Sequence, residues 1–413
     1  MPDQIQTDVR MRGFTSRNTV DATLAWIDSV LPECSDLGTE VVLVIEAASR
    51  VLSQDVTSRV DVPSFARSMM DGFALRGEET YGATSYNPLS FQIVGTCLPG
   101  VSYSGKVGTG QAVRIMTGAP LPTGADAVLP VENTEVDGRT LRALGEVSAG
   151  KHIGTIGEDV RNGDVVLHAG RVLRPQDIGI LSSIGISHVS VIRRPRVRIL
   201  ITGNELLPAC TPPTGFQIAD ANGPMLAALV ERDGGDVILS GRVQDAPEAI
   251  RDALLEPAEI VLVSGGSSVG QEDYAPKMLA DLGELAIHGV AMRPSSPTGM
   301  GRIQGRLVFL LPGNPVSCLC AYDFFAGRAI RSMGGRARDW PYRRATVRLT
   351  RKLVSTVGRV DYARVQIHGN EATPMAIGGA SILSSTTRAD GFAIVPADSE
   401  GFPEGAEIEV FLY

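Results

Sequence analysis

A glycine-rich turn follows a run of apolar residues in the second half of the chain. Val261-Leu-Val-Ser264 leads directly into Gly265-Gly-Ser-Ser-Val-Gly270. Glycines allow backbone N–H groups to approach a phosphate closely, and serine hydroxyls add further donors. The pattern predicts a phosphate cradle, although an ordinary strand-to-helix turn has the same composition. The predicted cradle residues are Gly265, Gly266, Ser267, Ser268 and Gly270.

A second turn with the same placement is Leu311-Pro-Gly-Asn-Pro-Val-Ser317. Pro312 and Pro315 restrict the backbone on both sides of a Gly-Asn pair, and rigidity is what the positioning of an anion requires. A structural helix start is the alternative interpretation.

Several acidic residues come directly after predicted strands: Glu205, Asp220 (followed by Asn222), Asp245 and Asp273. Carboxylates gathered at one sheet edge repel one another unless a cation lies among them. A Mg²⁺ ion held by Glu205, Asp245 and Asp273 is the simplest hypothesis. Each of them could instead be a helix cap, and Asp220 and Asp245 invite that interpretation most.

The elements that must position these residues begin at Arg196. Continuous apolar runs alternate there with helical patterns, which predicts a parallel sheet covered on both faces. Ligands of such sheets bind at the carboxyl ends of the strands, where both turns and the acidic residues fall. The predicted strands are Arg196–Thr202, Asp236–Ser240, Glu259–Ser264 and Leu307–Leu311; the predicted helices are Gly223–Asp233, Ala246–Leu255 and one beginning near Pro315.

The flanking regions have a different pattern of apolar residues and predicted elements. Thr19 or Asn18 caps a first helix that Pro32 should end, and a second helix is predicted near Ile45 to Leu52. Short β-type runs from about Val60 to Val147 predict a β-rich domain, and runs without intervening helices after Gly335 predict a small barrel or sandwich.

Composition limits the class of function. The chain has 413 residues and a net charge of −8, so it suits several domains and lacks the basic face that nucleic acid needs. It contains no apolar run of the ~18 residues that a membrane span requires. The five cysteines show no disulfide or metal spacing. We expect a soluble protein of the reducing cytoplasm, with no nucleic-acid or membrane partner.

Seven motifs in order resemble the molybdopterin molybdenumtransferase family, which includes the E domain of gephyrin. The motifs are Val62–Arg76, Arg114–Val128, Gly157–Val160, Thr202–Leu206, Asp220–Asn222, Ser264–Gly270 and Leu311–Ser317. The resemblance covers the chain from about residue 15 to its end. It implies an enzyme that inserts molybdate into adenylylated molybdopterin and releases AMP, with Mg²⁺ or a similar cation.

The resemblance also implies an architecture and partners. The expected domains are an elongated one in two segments (15–61 and 148–193), a β-rich one (62–147), an α/β molybdopterin-binding one (194–335) and a C-terminal β-barrel (336–413). It implies a homodimer, in which Asp71 and Thr117 of one chain face the α/β domain of the other. The upstream adenylyltransferase and a molybdoenzyme are its expected protein partners.

Roles for individual residues follow from the same resemblance. Glu205, Asp245 and Asp273 look like the acidic site residues of the family, with Asp71 and Thr117 as further catalytic residues. Pro312 and Pro315 match its rigid turn, Asp159 matches an acidic residue of its Gly-Glu-Asp segment, and Ser384 and Arg388 would be the contribution of the barrel.

Two departures from the family pattern stand out. Arg293-Pro-Ser-Ser-Pro297 replaces a Lys-Pro-Gly-Lys-Pro segment, and Asn204 replaces an aspartate. Arg293 keeps one charge that suits an oxyanion, whereas Ser296 replaces the second lysine with a neutral hydroxyl. A non-catalytic paralogue that binds and hands over the cofactor is therefore an alternative. A receptor-clustering scaffold and a nucleotide hydrolase are further alternatives.

Overall fold

The computed structural model describes residues 17–34, 36–266, 274–376 and 379–413. They form two compact units. The first unit contains the described residues up to Glu40, then Ser49–Val51 and Ser190–Tyr413; the second contains Val41–Ala48 and Leu52–Val189.

A six-stranded sheet is the centre of the first unit. Its strands lie in the order Asp236–Val243, Arg196–Thr202, Ile260–Ser264, Arg306–Leu311, Gly299–Ile303 and Glu284–His288. The first four strands are parallel, as predicted, and the last two are antiparallel. The parallel strands hold the carboxyl edge where the predicted turns fall.

The two central parallel strands, Ile260–Ser264 and Arg306–Leu311, are almost entirely apolar because helices cover both faces of the sheet. Alternate residues enter two separate cores: Leu262 and Phe309 pack in one, Val261 and Leu310 in the other. The helices of this unit are Val20–Cys34, Asn222–Asp233, Pro247–Leu255, Ala275–Leu282, Pro315–Ala321, Gly327–Met333 and the short Ser384–Thr387, with a π-helical turn at Tyr322–Ala326.

The first helix belongs to the core of this unit. Thr19 caps it, since its Oγ1 accepts a hydrogen bond from the Ala22 N–H at 3.1 Å. The helix continues past Pro32, which was predicted to end it. The helix predicted near Ile45 to Leu52 is wrong: the structure has a single 3₁₀ turn, Val44–Glu46.

The end of the chain forms a closed five-stranded barrel, which confirms the predicted C-terminal β-barrel. Around the ring the strands are Val360–His368, Glu371–Ala376, Arg343–Leu349, Glu407–Leu412 and Gly391–Val395, which returns to Val360–His368. The short strand Met292–Arg293 joins the barrel in parallel, with Arg293 opposite Asp361. This pairing brings a loop of the α/β sheet against the barrel. Two more short strands, Leu353–Val354 and Gly401–Phe402, pair with each other.

The second unit is built on another six-stranded sheet, which confirms a β-rich region. Its order is Ala127–Pro130, Gly72–Leu75, Gln111–Ile115, Leu89–Cys97, Thr140–Ala143 and Thr134–Asp137. Short strand pairs (Arg67–Ser68 with Ile153–Gly154, and Val56–Thr57 with Val165–Leu167) and the helix Pro175–Ser183 complete it.

Across the described residues of both units, no helix is long and apolar enough to span a membrane.

Candidate active site

The carboxyl edge of the parallel strands opens into a cavity of about 570 Å³, which we call the sheet-edge cavity. Its wall brings together residues that are distant in the sequence. Eight of the predicted site residues line it: Glu205, Asp220, Asn222, Asp245, Gly265, Gly266, Pro312 and Pro315. The strand-end placement that the sequence indicated therefore gathers these side chains around one space.

The glycine turn needs its glycines. Gly265 has φ +99° and Gly266 has φ +57°, in the region that disfavours side chains. A β-carbon at Gly265 would lie 2.3 Å from the carbonyl oxygen of Thr202. Backbone therefore packs closely at this point of the cavity wall, and the Gly265 N–H donates to the Leu311 carbonyl oxygen at 3.2 Å.

Asn222 ties the two turns together. Its amide Nδ2 donates to Ser264 Oγ at 2.9 Å and to the carbonyl oxygen of Gly313 at 2.7 Å. Asn222 is 7% exposed, and its Oδ1 is buried with no hydrogen-bond partner among the residues that the structure describes. Thr202 Oγ1, beside Gly265 in the same wall, also has none. Because buried polar atoms are rarely left unsatisfied, these two oxygens favour a ligand that supplies donors.

The carboxylates of the cavity are not equivalent. Asp220 Oδ1 accepts a hydrogen bond from the Gly223 N–H at 2.9 Å, so one of its oxygens caps the helix Asn222–Asp233. Glu205 is exposed at the wall, and Asp245 lies half-buried there. The described residues contain no cluster of three or more potential metal ligands. Asp273, the third predicted ligand, lies outside the described residues, as do Ser267, Ser268 and Gly270.

A second cavity of about 890 Å³ adjoins the first and shares Pro297, Pro312 and Asn314 with it. We call it the turn cavity, because the segment Met292–Pro297 forms much of its wall. The predicted residues Arg293 and Ser296 both line it. Arg17 and Arg359 add two further cationic side chains.

Arg293 is held by a carboxylate that the sequence did not single out. Its guanidinium pairs with Asp361, with Nε 3.1 Å from Oδ1 and a second contact from Nη2 to Oδ2. Asp361 is fully buried. Its Oδ1 also forms an ion pair with Arg359, whose Nε lies 3.3 Å away, and its Oδ2 accepts a hydrogen bond from Ser355 Oγ at 2.6 Å. The Arg293 charge that was expected to face an oxyanion is thus partly compensated within the protein.

The two serines of the same segment differ. Ser295 is buried with φ +86°, and its hydroxyl donates to the carbonyl oxygen of Ser317. The Ser296 hydroxyl is buried and has no hydrogen-bond partner in the part of the chain that the structure describes. It is therefore the one of the two that is free to contact a ligand.

Asp71 and Thr117 meet in the second unit. The backbone N–H and the hydroxyl of Thr117 both donate to Asp71 Oδ1, each at 2.7 Å. These hydrogen bonds, the backbone one foremost, lower the pKa of the Asp71 carboxyl. The pair is exposed and presents a stable negative charge at neutral pH.

The remaining placements differ from expectation. Ser384 and Arg388 are exposed and line neither cavity; the segment just before them contributes Gly379, Ala380 and Ser381 instead. Sequence reasoning missed Arg359 as a lining residue, and it placed Thr202 and Ser264 within family motifs without naming them as individual site residues. A signal existed for Thr202 and Ser264, because each is the polar last residue of an apolar parallel strand.

The fold and these cavities define a multi-domain protein with an α/β ligand-binding domain. Three family descriptions match in order: "MoeA N-terminal region (domain I and II)" over residues 18–185, "Probable molybdopterin binding domain" over 198–332 and "MoeA C-terminal region (domain IV)" over 346–413.

Known proteins are similar over nearly the whole length. The molybdopterin molybdenumtransferase of Staphylococcus aureus (strain COL) is 31% identical, with 94% of each chain covered. Molybdopterin molybdenumtransferase 2 of Mycobacterium tuberculosis is 33% identical, covering 89% of this chain and 93% of the relative. The crystal structure of the molybdopterin biosynthesis MoeA protein from Pyrococcus horikoshii OT3 has a TM-score of 0.80 at 31% identity, covering 96% of this chain and all of that one. This chain belongs to the molybdopterin molybdenumtransferase family.

Proposed function

We propose that this chain inserts molybdate into adenylylated molybdopterin and releases AMP. Membership of the family supports a transferase role in molybdenum cofactor biosynthesis, with molybdopterin as the small-molecule partner. The observation that carries the finer proposal is the adjacency of two cavities. One is lined by a glycine turn and carboxylates, the other by arginines, and one rigid turn separates them.

In this proposal the sheet-edge cavity holds the phosphate-bearing part of the substrate. The backbone N–H of Gly266 would face the phosphate, whereas the N–H of Gly265 already donates to the Leu311 carbonyl oxygen at 3.2 Å. Ser267, Ser268 and Gly270 stay predicted cradle residues. Thr202 Oγ1 and Asn222 Oδ1 accept hydrogen bonds from donors of the ligand, which satisfies both buried oxygens. The protein supplies proximity and orientation.

Glu205 and Asp245 would hold Mg²⁺, with Asp273 as a third ligand. Hard oxygen donors suit this cation, and it usually completes its coordination with water and substrate phosphate oxygens, so two or three carboxylates are a sufficient protein share. Bound Mg²⁺ would polarise the pyrophosphate that links the pterin to AMP. Glu205 and Asp245 would thereby orient the substrate phosphates relative to the cation.

Molybdate, the second substrate, would bind in the turn cavity. Arg293, Arg359 and the Ser296 hydroxyl are its nearest polar groups there, with the wall of Pro312 and Asn314 in common with the pterin side. We further propose that the chain acts as a homodimer, in which the Asp71–Thr117 pair serves the site of the second chain. Ser384 and Arg388 stay predictions, without support from the cavity walls.

The test is incubation with adenylylated molybdopterin, molybdate and Mg²⁺, followed by measurement of AMP and of protein-retained molybdenum. We expect stoichiometric AMP release by the natural chain. In Glu205→Gln, a neutral amide replaces the carboxylate at the cavity wall, so we expect AMP release to fall by at least about 100-fold.

The matched control is Glu231→Gln, which makes the same change on the exposed surface of the helix Asn222–Asp233. It should release AMP at the normal rate. Equal AMP release by Glu205→Gln and Glu231→Gln would contradict the role given to Glu205.

A non-catalytic handover paralogue is the second candidate. The compensation of Arg293 by Asp361 and the neutral Ser296 favour it, because both weaken the attraction of the turn cavity for molybdate. Such a protein would retain molybdopterin in the same incubation without releasing AMP.

A further inference from the structure

A third cavity lies on the terminal barrel, and the proposed insertion reaction does not use it. Its volume is about 360 Å³, and we call it the barrel cavity. Its wall consists of Arg293, Arg351, Lys352, Leu353, Val354, Ala363, Arg364, Pro374 and Met375. We propose that the barrel cavity binds a small tetrahedral oxyanion of the sulfate, phosphate or molybdate type.

The charge of the wall carries this proposal. Four of the nine lining residues are cationic, and no carboxylate is among the lining residues that the structure describes. Arg293 is already paired with Asp361, so the other three cations supply the charge of the wall. Within the same described part of the chain, Lys352 forms no ion pair with any carboxylate within 4.0 Å, and Arg351 forms none either. Positive charge concentrated in this way attracts an oxyanion, and guanidinium groups offer it paired N–H donors.

One cation lies deep in the site. Arg364 is fully buried, while Arg351 and Lys352 are exposed. A buried guanidinium beside the apolar side chains of Leu353 and Ala363 acts through a medium of low polarity, so its attraction for an anion is less screened than on the surface. The exposed pair leaves a route of entry from solvent.

Local backbone irregularity explains how the barrel forms this cavity. The register between Val360–His368 and Glu371–Ala376 shifts between Arg364 and Val365, which pair with Ala376 and Pro374. Such bulges change the direction of a side chain and often occur beside ligand sites. The Pro374 carbonyl oxygen accepts a hydrogen bond from Arg351 Nη2, which fixes that guanidinium at the wall.

Arg293 lines both the turn cavity and the barrel cavity, so the two cavities adjoin at this residue. A substitution of Arg293 would alter both. Arg351 and Lys352 line the barrel cavity and not the turn cavity, which makes them the residues to change.

The experiment is equilibrium dialysis of the full chain against radiolabelled sulfate at low ionic strength, without any pterin. Its outcome is independent of the proposed insertion reaction. We expect the natural chain to bind two equivalents of sulfate, one in the barrel cavity and one at the arginines of the turn cavity. The double variant Arg351→Gln/Lys352→Gln should bind one of them at least about tenfold more weakly, because two charge-assisted contacts are lost.

The matched control is Arg343→Gln/Arg348→Gln, which removes two exposed cations from another strand of the same barrel. It should bind sulfate as the natural chain does. Thermal unfolding of each variant checks that the fold is intact, which we expect because all four side chains are exposed.

Competition by unlabelled molybdate and phosphate identifies the source of the anion. Stronger competition by molybdate assigns the barrel cavity to the metal oxyanion, and stronger competition by phosphate assigns it to a phosphate-bearing ligand. The proposal is overturned if Arg351→Gln/Lys352→Gln leaves sulfate binding unchanged, whether the natural chain binds one equivalent or two. Equal weakening by the two double variants would mean a general effect of net charge and would overturn it as well.

Discussion

The sheet-edge cavity and the turn cavity share a wall but differ in charge. The first contains the carboxylates Glu205, Asp220 and Asp245 and two buried oxygen atoms that have no hydrogen-bond partner within the described ranges of the chain. The second contains three arginines and no carboxylate among its described lining residues. Each cavity alone would suit many ligands.

The difference indicates how the two work together. Carboxylates and a glycine turn suit a cation-bound phosphate, whereas arginines suit an oxyanion. The Pro312–Pro315 turn between them is rigid, since two prolines restrict it and Asn222 holds the Gly313 carbonyl oxygen. In the proposed reaction, two anionic reactants, one compensated by a bound cation and the other by arginines, would be held at a fixed separation. Such positioning is the main contribution a protein makes to a transfer of this kind.

The largest expected effect concerns Asp361, whose carboxylate partly neutralises the arginines of the turn cavity. Asp361→Asn leaves Arg293 and Arg359 without their shared charge partner, and breaking a buried ion pair in this way costs about 3–5 kcal/mol of unfolding free energy. Denaturant unfolding followed by tryptophan fluorescence measures this loss. Both tryptophans, Trp26 and Trp340, lie in the first unit, so the signal reports that unit alone.

The same substitution should make the turn cavity more positive and so tighten molybdate binding in the folded fraction. Glu409→Gln is the control, because its pair with Arg344 on the barrel is exposed at 3.5 Å and should contribute at most about 1 kcal/mol. Equal stability of the two variants would mean that Asp361 is not the centre of the arginine cluster.

The next effect concerns the sheet-edge cavity. Gly265→Ala places a β-carbon 2.3 Å from the Thr202 carbonyl oxygen at φ +99°, so the turn must move. We expect a loss of about 2–3 kcal/mol in unfolding free energy, from the left-handed backbone and the close contact together. AMP binding, measured by calorimetry, should be lost, while molybdate binding in the turn cavity should persist.

Gly313→Ala is the matched control for stability. Gly313 lies in the neighbouring turn, but the nearest atom to its added β-carbon is the Cα of Gly265, at 3.6 Å. Its unfolding free energy should change by less than about 1 kcal/mol. If both variants unfolded alike, the close approach at Gly265 would have no energetic consequence.

The sequence predicted the sheet-edge cavity far better than the turn cavity, and the reason is physical. Glu205, Asp245 and Gly265 follow apolar strands, and the parallel arrangement alone brings strand ends to one edge. The strand Arg196–Thr202 was predicted with its observed bounds. Local pattern and global position agree there.

The turn cavity depends on long-range contacts that no local sequence pattern predicts. Asp361 lies 68 residues from Arg293 in the chain, on a barrel strand that reads as an ordinary alternating run. Only the parallel pairing of Met292–Arg293 with Val360–His368 reveals that the two side chains meet. The predicted helix near Ile45 to Leu52 failed for a related reason, since its apolar residues reflect packing in a turn rather than helical periodicity.

The smallest expected effect reverses the departure at Ser296. Its hydroxyl is buried without a partner in the turn cavity, at the position where the family pattern has a lysine. In Ser296→Lys, an added ammonium group should attract molybdate by about 1.4 kcal/mol after solvent screening, which is about a tenfold tighter dissociation constant. Calorimetric titration with molybdate at two salt concentrations measures it.

The salt dependence of molybdate binding separates an effect of the added charge from an effect of the longer side chain. An ammonium that acts through its field should lose part of its advantage when the Debye length falls from about 10 Å at 0.1 M salt to about 3 Å at 1 M. Ser296→Gln, which extends the side chain without charge, is the control and should bind molybdate like the natural chain. If Ser296→Gln tightened binding as much as Ser296→Lys, the contrast between the two cavities would rest on shape rather than on charge. If Ser296→Lys left binding unchanged, Arg293 and Arg359 would already supply all the attraction that molybdate needs, despite their shared partner Asp361.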